Sequence, residues 1–295
     1  MQRLNAKTLI LCICLSFAAY AAQQPKQGPP RPSRLPSEEL AKLPQTPGAT
    51  GYQLRHYRFE EAAQEMPYTL YVPKTYDPAK KTPLILALHG AGGPTEYFFR
   101  SPGQTEDLCE KYGFIFVSPL GYHAFGGYGA MLLPRPQFPG QAPRKPDPRR
   151  PEWSQEEARR VNDLSEKDVF NVLTIVEKEY NVDRNRLYLM GHSMGGAGTW
   201  YLGQKYPERW AGLAPMSGGF GFVDYPLARI QGIPLIVSAG SEDSAMHGEV
   251  ARAEVARFEA AGLKPVYVEI EGGDHMSMIS PMLPKIFEFF ATHHR

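Results

Sequence analysis

Residues Gly191 to Gly196 read Gly-His-Ser-Met-Gly-Gly. A serine hydroxyl is a weak nucleophile until a base takes its proton, so a chemical role for Ser193 requires a histidine and a carboxylate behind it. A bare Gly-x-Ser-x-Gly is a weak signal, and its setting is what gives it force. The apolar run Leu187–Met190 precedes it, and a helical pattern from Ala197 follows with no loop between them. A strand turning directly into a helix strains the central residue and demands small neighbours, which Gly191, Gly195 and Gly196 supply. The turn would lift the Ser193 hydroxyl beyond the sheet, close to the first amides of the helix.

The chain has eight histidines. His56, His123 and His247 fall in an edge strand, a long loop and a helix start, and His293 and His294 at the C-terminal end. His192 lies inside the turn, pointing to its wrong side, and His89 ends a strand before a glycine-rich loop. His275, in Glu-Gly-Gly-Asp-His between the last strand and the last helix, is left as the base. The acid should lie between serine and histidine in the chain. Asp243 in Gly-Ser-Glu-Asp-Ser fits, with Glu242 one residue earlier as its rival. Asp274 reads as a solvated loop acid, because adjacent side chains seldom face each other. Attack on a carbonyl also needs two N–H donors for the developing oxyanion. Met194 offers one, and Ala91 in His-Gly-Ala-Gly-Gly (His89–Gly93) the other.

These pieces need a scaffold that brings distant loops together. Tyr52–Phe59 and Met66–Val72 alternate as edge strands, and Leu84–Gly90 is a continuous apolar run closed by glycine, as in a strand buried on both faces. Helical patterns at 97–112, 166–180, 197–206, 247–261 and 281–293 then alternate with strand patterns at 114–119, 187–190, 210–216, 234–239 and 265–271. That rhythm predicts an α/β fold, a mainly parallel central sheet with helices on both faces.

Residues 121–162 interrupt the rhythm with a long Pro-, Gly- and Arg-rich excursion. Its position above the carboxyl edge of the sheet makes Tyr122, His123, Phe125 and Tyr128 candidates for substrate binding. The basic stretch that follows reads either as a solvated loop or as a lid favouring anionic or acylated polysaccharide. Asp168, near the predicted start of the next helix, reads as N-terminal charge compensation.

Composition sets the remaining bounds. The 295 residues carry a formal charge of +1, with 42% hydrophobic and 21% charged residues, enough for a sizeable core. Nothing global points to nucleic acid or to an anionic membrane. Residues 1–21 have the charged, apolar and small-x-small pattern of a signal peptide, so the expected location is secreted or periplasmic. Residues 22–51 read as a Pro-rich disordered linker, and 52–295 as the catalytic domain. Cys12 and Cys14 lie in the signal segment, which leaves Cys109 as a packing residue without a disulfide partner. No metal cluster, P-loop or dinucleotide motif stands out, so no cofactor is expected.

The segments "TLYVP" (Thr69–Pro73), "PLILALHGAGG", "NRLYLMGHSMGGAGTW", "YPERWAGLAPMSGG", "SAGSED" and "GGDHMS" together resemble the secreted α/β-hydrolase esterases. That group includes feruloyl and acetylxylan esterases, polyhydroxybutyrate depolymerase-like proteins and single-domain relatives of prolyl oligopeptidase. The resemblance runs from Tyr52 to the C-terminus. It implies an α/β-hydrolase fold, a triad of Ser193, Asp243 and His275, oxyanion donors at Ala91 and Met194, and an ester substrate, small or on a polysaccharide. The 121–162 excursion departs from the family pattern, which leaves the substrate open. A peptidase acting on short peptides and a catalytically silent binding protein are the competing readings, and oligomeric state is not legible.

Overall fold

Strand β3 (Thr82–Leu88) is buried at all seven positions because both its faces are covered. Side chains alternate along a strand. Leu84, Leu86 and Leu88 therefore enter one apolar core, and Ile85 and Ala87 the other. Strand β5 (Val182–His192) divides in the same way, with Leu187 and Leu189 on the first face and Tyr188 and Met190 on the second. The computed structural model describes residues 35–101, 103–133, 147–218, 225–244 and 248–295. The expected signal segment and residues 134–146 of the basic stretch lie outside the described residues.

Among the described residues, eight strands form one sheet in the order β1-β2-β4-β3-β5-β6-β7-β8. Strands β1 (Gly51–Phe59) and β2 (Gln64–Val72) are antiparallel to each other, and β2 is antiparallel to β4 (Ile115–Pro119). From β4 onward, through β3, β5, β6 (Gly212–Met216), β7 (Ile236–Gly240) and β8 (Val266–Ile270), neighbours run parallel. Helices α2 (Gln155–Glu179), α3 (Met194–Lys205) and α4 (Gly248–Ala260) cover the first face. Helices α1 (Gln104–Tyr112) and α5 (Ile279–Ala291) cover the second, where Cys109 is buried and unbridged. No described helix is long and apolar enough to cross a membrane.

Two boundaries differ from the sequence expectation. Helix α2 begins at Gln155, so residues 155–162 of the excursion are its first turns. The cause is a capping box: Ser154 Oγ accepts from Glu157 N at 3.2 Å, and Glu157 Oε2 accepts from Ser154 N at 2.8 Å. The described end of the expected linker is also docked. A helical turn at Ser37–Leu40 buries Leu40, Ser37 Oγ accepts from Glu65 N at 2.6 Å, and Gln45 Oε1 accepts from Arg55 Nε at 2.9 Å.

Helix α3 approaches strand β3 so closely that a Cβ at Gly195 would lie 1.9 Å from Leu88 O. Backbone on both sides leaves nothing to yield. Gly195→Ala should therefore cost about 3 kcal/mol or more in urea unfolding. Gly232→Asn, at φ 85° in open space, should cost under about 1 kcal/mol, since asparagine tolerates left-handed backbone. Equal midpoints for the two variants would contradict this packing.

Candidate active site

Ser193 follows β5 with φ 56° and ψ −111°, and α3 starts at the next residue. Such backbone costs a non-glycine residue on the order of 1–3 kcal/mol and persists only where its surroundings enforce it. Here its amide donates to Met216 O at 2.9 Å and its carbonyl accepts from Ala197 N at 3.0 Å. Gly191 packs on Gly195 and Gly196 on Gly218, at separations where a Cβ would meet backbone at 2.2 and 2.7 Å.

The Ser193 hydroxyl lies 2.9 Å from His275 Nε2, and His275 Nδ1 lies 2.8 and 3.0 Å from the two oxygens of Asp243. An ionised carboxylate only accepts, so the Nδ1 facing it carries the ring hydrogen and Nε2 presents its lone pair to the hydroxyl. Asp243 is fully buried and its side chain faces the ring, whereas Glu242 is exposed. That geometry separates the two acids the sequence left as rivals. Asp274 instead accepts from Met276 N at 2.8 Å and Ser277 N at 2.7 Å, amide bonds that hold its carboxyl below the ordinary range.

The loops carrying Asp243 and His275 leave neighbouring strands and are joined. Glu242 N donates to Gly273 O at 3.0 Å, and Gly272 N to Ser241 Oγ at 2.8 Å. A Cβ at Gly240 would lie 2.1 Å from Gly273 O, so the two loops touch through bare backbone.

In the loop after β3, Gly92 N donates to Ala124 O at 2.7 Å and Gly93 N to Gly90 O at 2.9 Å. Among the described residues the Ala91 amide has no such backbone partner. Met194 N is the first amide of α3, one of those a helix leaves unbonded within itself. Among the described residues, neither of the two amides expected as oxyanion donors thus shows a backbone partner.

The four aromatic candidates divide. Tyr128 is fully buried in the core, where its hydroxyl donates to His89 O at 3.2 Å, so its assignment to substrate binding is corrected. Tyr122 is half-buried, and its ring packs edge-on against Phe59, beside Met66 and Leu164. Phe125 lies over Gly92, and His123 stands between Phe125 and Trp153 with ring centroids 6.0 and 5.1 Å away. Arg149 lies 5.8 Å over Phe125. Trp153 and Arg149 belong to the basic stretch that reads as loop or lid, and only the fold brings them to the 121–125 loop.

The excursion is held down by one face of α2. Asn162 Oδ1 accepts from Met131 N at 3.1 Å and Ser165 Oγ from Tyr128 N at 2.8 Å. Asp168 accepts from Gly121 N at 2.7 Å, Tyr122 N at 3.0 Å and Tyr57 Oη at 2.5 Å. Three-residue spacing puts these acceptors on one side of the helix. Asp168 is therefore a mid-helix loop anchor rather than an N-terminal charge. Burial raises its carboxyl pKa from 3.8 to about 6 despite the three donors. The folded chain then holds a proton that the unfolded chain has lost between these values. Stability from this group should be highest below about pH 4, fall as pH rises to about 6 and then level, by about 3 kcal/mol in all. Urea midpoints of wild type minus Asp168→Asn across pH 4–7 should show that fall, and a flat difference would contradict it.

Among the described residues, no cluster of three His, Cys, Asp or Glu is placed to hold a metal. The esterase family, described as "Putative esterase", matches residues 60–261. The bifunctional acetylxylan esterase/xylanase XynS20E of Neocallimastix patriciarum is 28% identical over 149 residues, half of this chain but 17% of that protein. The solved structure of a thermostable esterase is 26% identical with a TM-score of 0.55, covering 83% of this chain and 63% of the other. A ferulic acid esterase of Anaeromyces mucronatus in complex with ferulic acid is 16% identical with a TM-score of 0.57, over 85% of this chain and 93% of the other. At 16% identity that last likeness speaks to the fold alone.

Proposed function

Since the chain belongs to this esterase family, carboxylic ester hydrolases of α/β-hydrolase fold, we propose that Ser193, His275 and Asp243 carry out the hydrolysis through an acyl-enzyme. The observation that carries the reading is the single imidazole bonded to the serine on one side and the buried carboxylate on the other. Ser193 Oγ attacks the ester carbonyl carbon as His275 Nε2 takes its proton. The carbonyl oxygen becomes an oxyanion between the amides of Ala91 and Met194. Collapse breaks the carbon–oxygen bond to the alcohol, and His275 returns the proton to the leaving oxygen. Water then adds to the acyl carbon, its proton goes to His275, and the acid departs as Ser193 regains its hydrogen. Asp243 keeps the imidazole in the tautomer this requires and stabilises its cation.

The substrate we propose is an acyl ester on polysaccharide, acetyl or hydroxycinnamoyl, met outside the cytoplasm after export by residues 1–21. Support comes from the similarity to the bifunctional acetylxylan esterase/xylanase, and from the ring cluster of His123, Phe125 and Trp153, whose Phe125 lies over Gly92. A flat aromatic acyl group would stack there.

Initial rates on 4-nitrophenyl acetate, methyl ferulate and acetylated xylan test the reading. Ser193→Ala and His275→Ala should lower kcat by about 10⁴-fold or more, and Asp243→Asn by about 10³- to 10⁴-fold. Glu242→Gln should stay within about twofold, as an exposed substitution remote from the chemistry. Loss of activity in Glu242→Gln with Asp243→Asn intact would reverse the choice of acid.

A further inference from the structure

His192, which ends β5 next to Ser193, is fully buried with both ring nitrogens engaged. Nε2 lies 2.7 Å from the carbonyl oxygen of His275, and Nδ1 lies 2.8 Å from Tyr97 Oη. A carbonyl oxygen only accepts, so Nε2 carries the hydrogen. A neutral ring then offers a lone pair at Nδ1, into which Tyr97 Oη–H donates. Burial, aided by the neighbouring His275, pushes the His192 pKa down to about 3, and burial lifts Tyr97 to about 12. Neither group changes charge near neutrality, so the two bonds keep one direction.

Tyr97 stands where three parts of the site meet. Its ring lies against the loop after β3, with Oη and Cδ2 each 2.8 Å from where a Cβ would stand on Gly90 and Gly93. It stacks on the His192 ring at 24°, with centroids 5.8 Å apart. Its hydroxyl is 3.5 Å from Met276 Sδ, in the residue after the base. The ring nitrogen, closer and the better acceptor, takes the hydroxyl hydrogen.

Asp243 orients the His275 ring, but both belong to loops that follow β7 and β8. Their mutual bond leaves open how far the base stands from the nucleophile. The His192 bond closes that gap, because it ties the backbone of the base to the residue adjoining Ser193. We infer that Tyr97 and His192 are positioning residues that set the separation of His275 Nε2 from Ser193 Oγ, an inference that rests on the triad proposed above.

The test measures kcat and KM on 4-nitrophenyl acetate for Tyr97→Phe, His192→Leu and His192→Gln, with Ser193→Ala alongside and thermal midpoints for each. A small displacement of the base costs about 10²-fold, so His192→Leu should lose about that in kcat with KM held within about twofold. Glutamine can donate to the carbonyl and accept from Tyr97, so His192→Gln should recover to within about fivefold of wild type. Tyr97→Phe keeps the buried ring and the fold, and should still lose about tenfold in kcat. In ¹⁵N spectra, wild-type His192 should show a protonated Nε2 and an unprotonated, hydrogen-bonded Nδ1. Wild-type kcat in Tyr97→Phe and His192→Leu, with Ser193→Ala inactive, would overturn the positioning role and leave the triad standing. Loss of kcat that merely follows loss of stability, without rescue by glutamine, would also overturn it. An active Ser193→Ala would instead refute the triad reading itself.

Discussion

Strand β5 passes into helix α3 through a single residue, and that abrupt junction constrains everything built around it. No loop is available to absorb the change of direction, so Ser193 alone takes φ 56° and ψ −111°. The strain holds because the helix is pressed onto its surroundings at Gly191, Gly195, Gly196 and Gly218, where a Cβ would lie within 2.7 Å of backbone atoms. Close packing of this kind has no continuous range of positions, which is why it can fix a hydroxyl in space. The same geometry places the first free amide of the helix, Met194 N, directly after the serine.

The rest of the site follows from the order of the parallel strands. The loop carrying Ala91 leaves β3, Ser193 directly follows β5, and the loops with Asp243 and His275 leave β7 and β8, all at carboxyl ends on one edge of the sheet. Loops are the mobile part of such folds, and here they are fastened to one another. Gly240 and Gly273 meet backbone to backbone, His192 grips the His275 carbonyl, and Tyr97 lies beneath the glycine loop. On the opposite flank Asn162, Ser165 and Asp168 hold the excursion from a single helix face. A site assembled from five segments thus behaves mechanically as one piece, which preorganisation requires.

Much of this was legible in the sequence because its signals are local. The glycines around Ser193, the apolar runs before "HGAGG" and "GSED", and the glycine loop holding His275 each announce a strand end. The mainly parallel α/β sheet follows from the alternation between them, and the α/β-hydrolase fold from the resemblance that the motifs carry. What stayed hidden depends on tertiary contact. The cap at Ser154 was present in the letters, but the polar first turns of α2 masked it, and Asp168 was consequently placed at a helix end. Tyr128 looked like a loop aromatic until the fold buried it. The choice between Asp243 and Glu242 turns on which side chain the β7 loop buries, and that is set by its contact with Gly273 rather than by residue type. The service of His192 is invisible in sequence, because both its partners are distant in the chain.

The central claim is that Ser193 is the group that becomes acylated. A fluorophosphonate reacts with an activated serine as an ester does but does not leave, so the adduct can be located by mass spectrometry. Tryptic cleavage after Arg186 and Lys205 yields Leu187–Lys205, a peptide with Ser193 as its one serine. The account predicts stoichiometric modification of that peptide at Ser193, lost in Ser193→Ala and slowed in His275→Ala. Modification at another residue, or ester turnover by a protein whose Ser193 stays unlabelled, would contradict it.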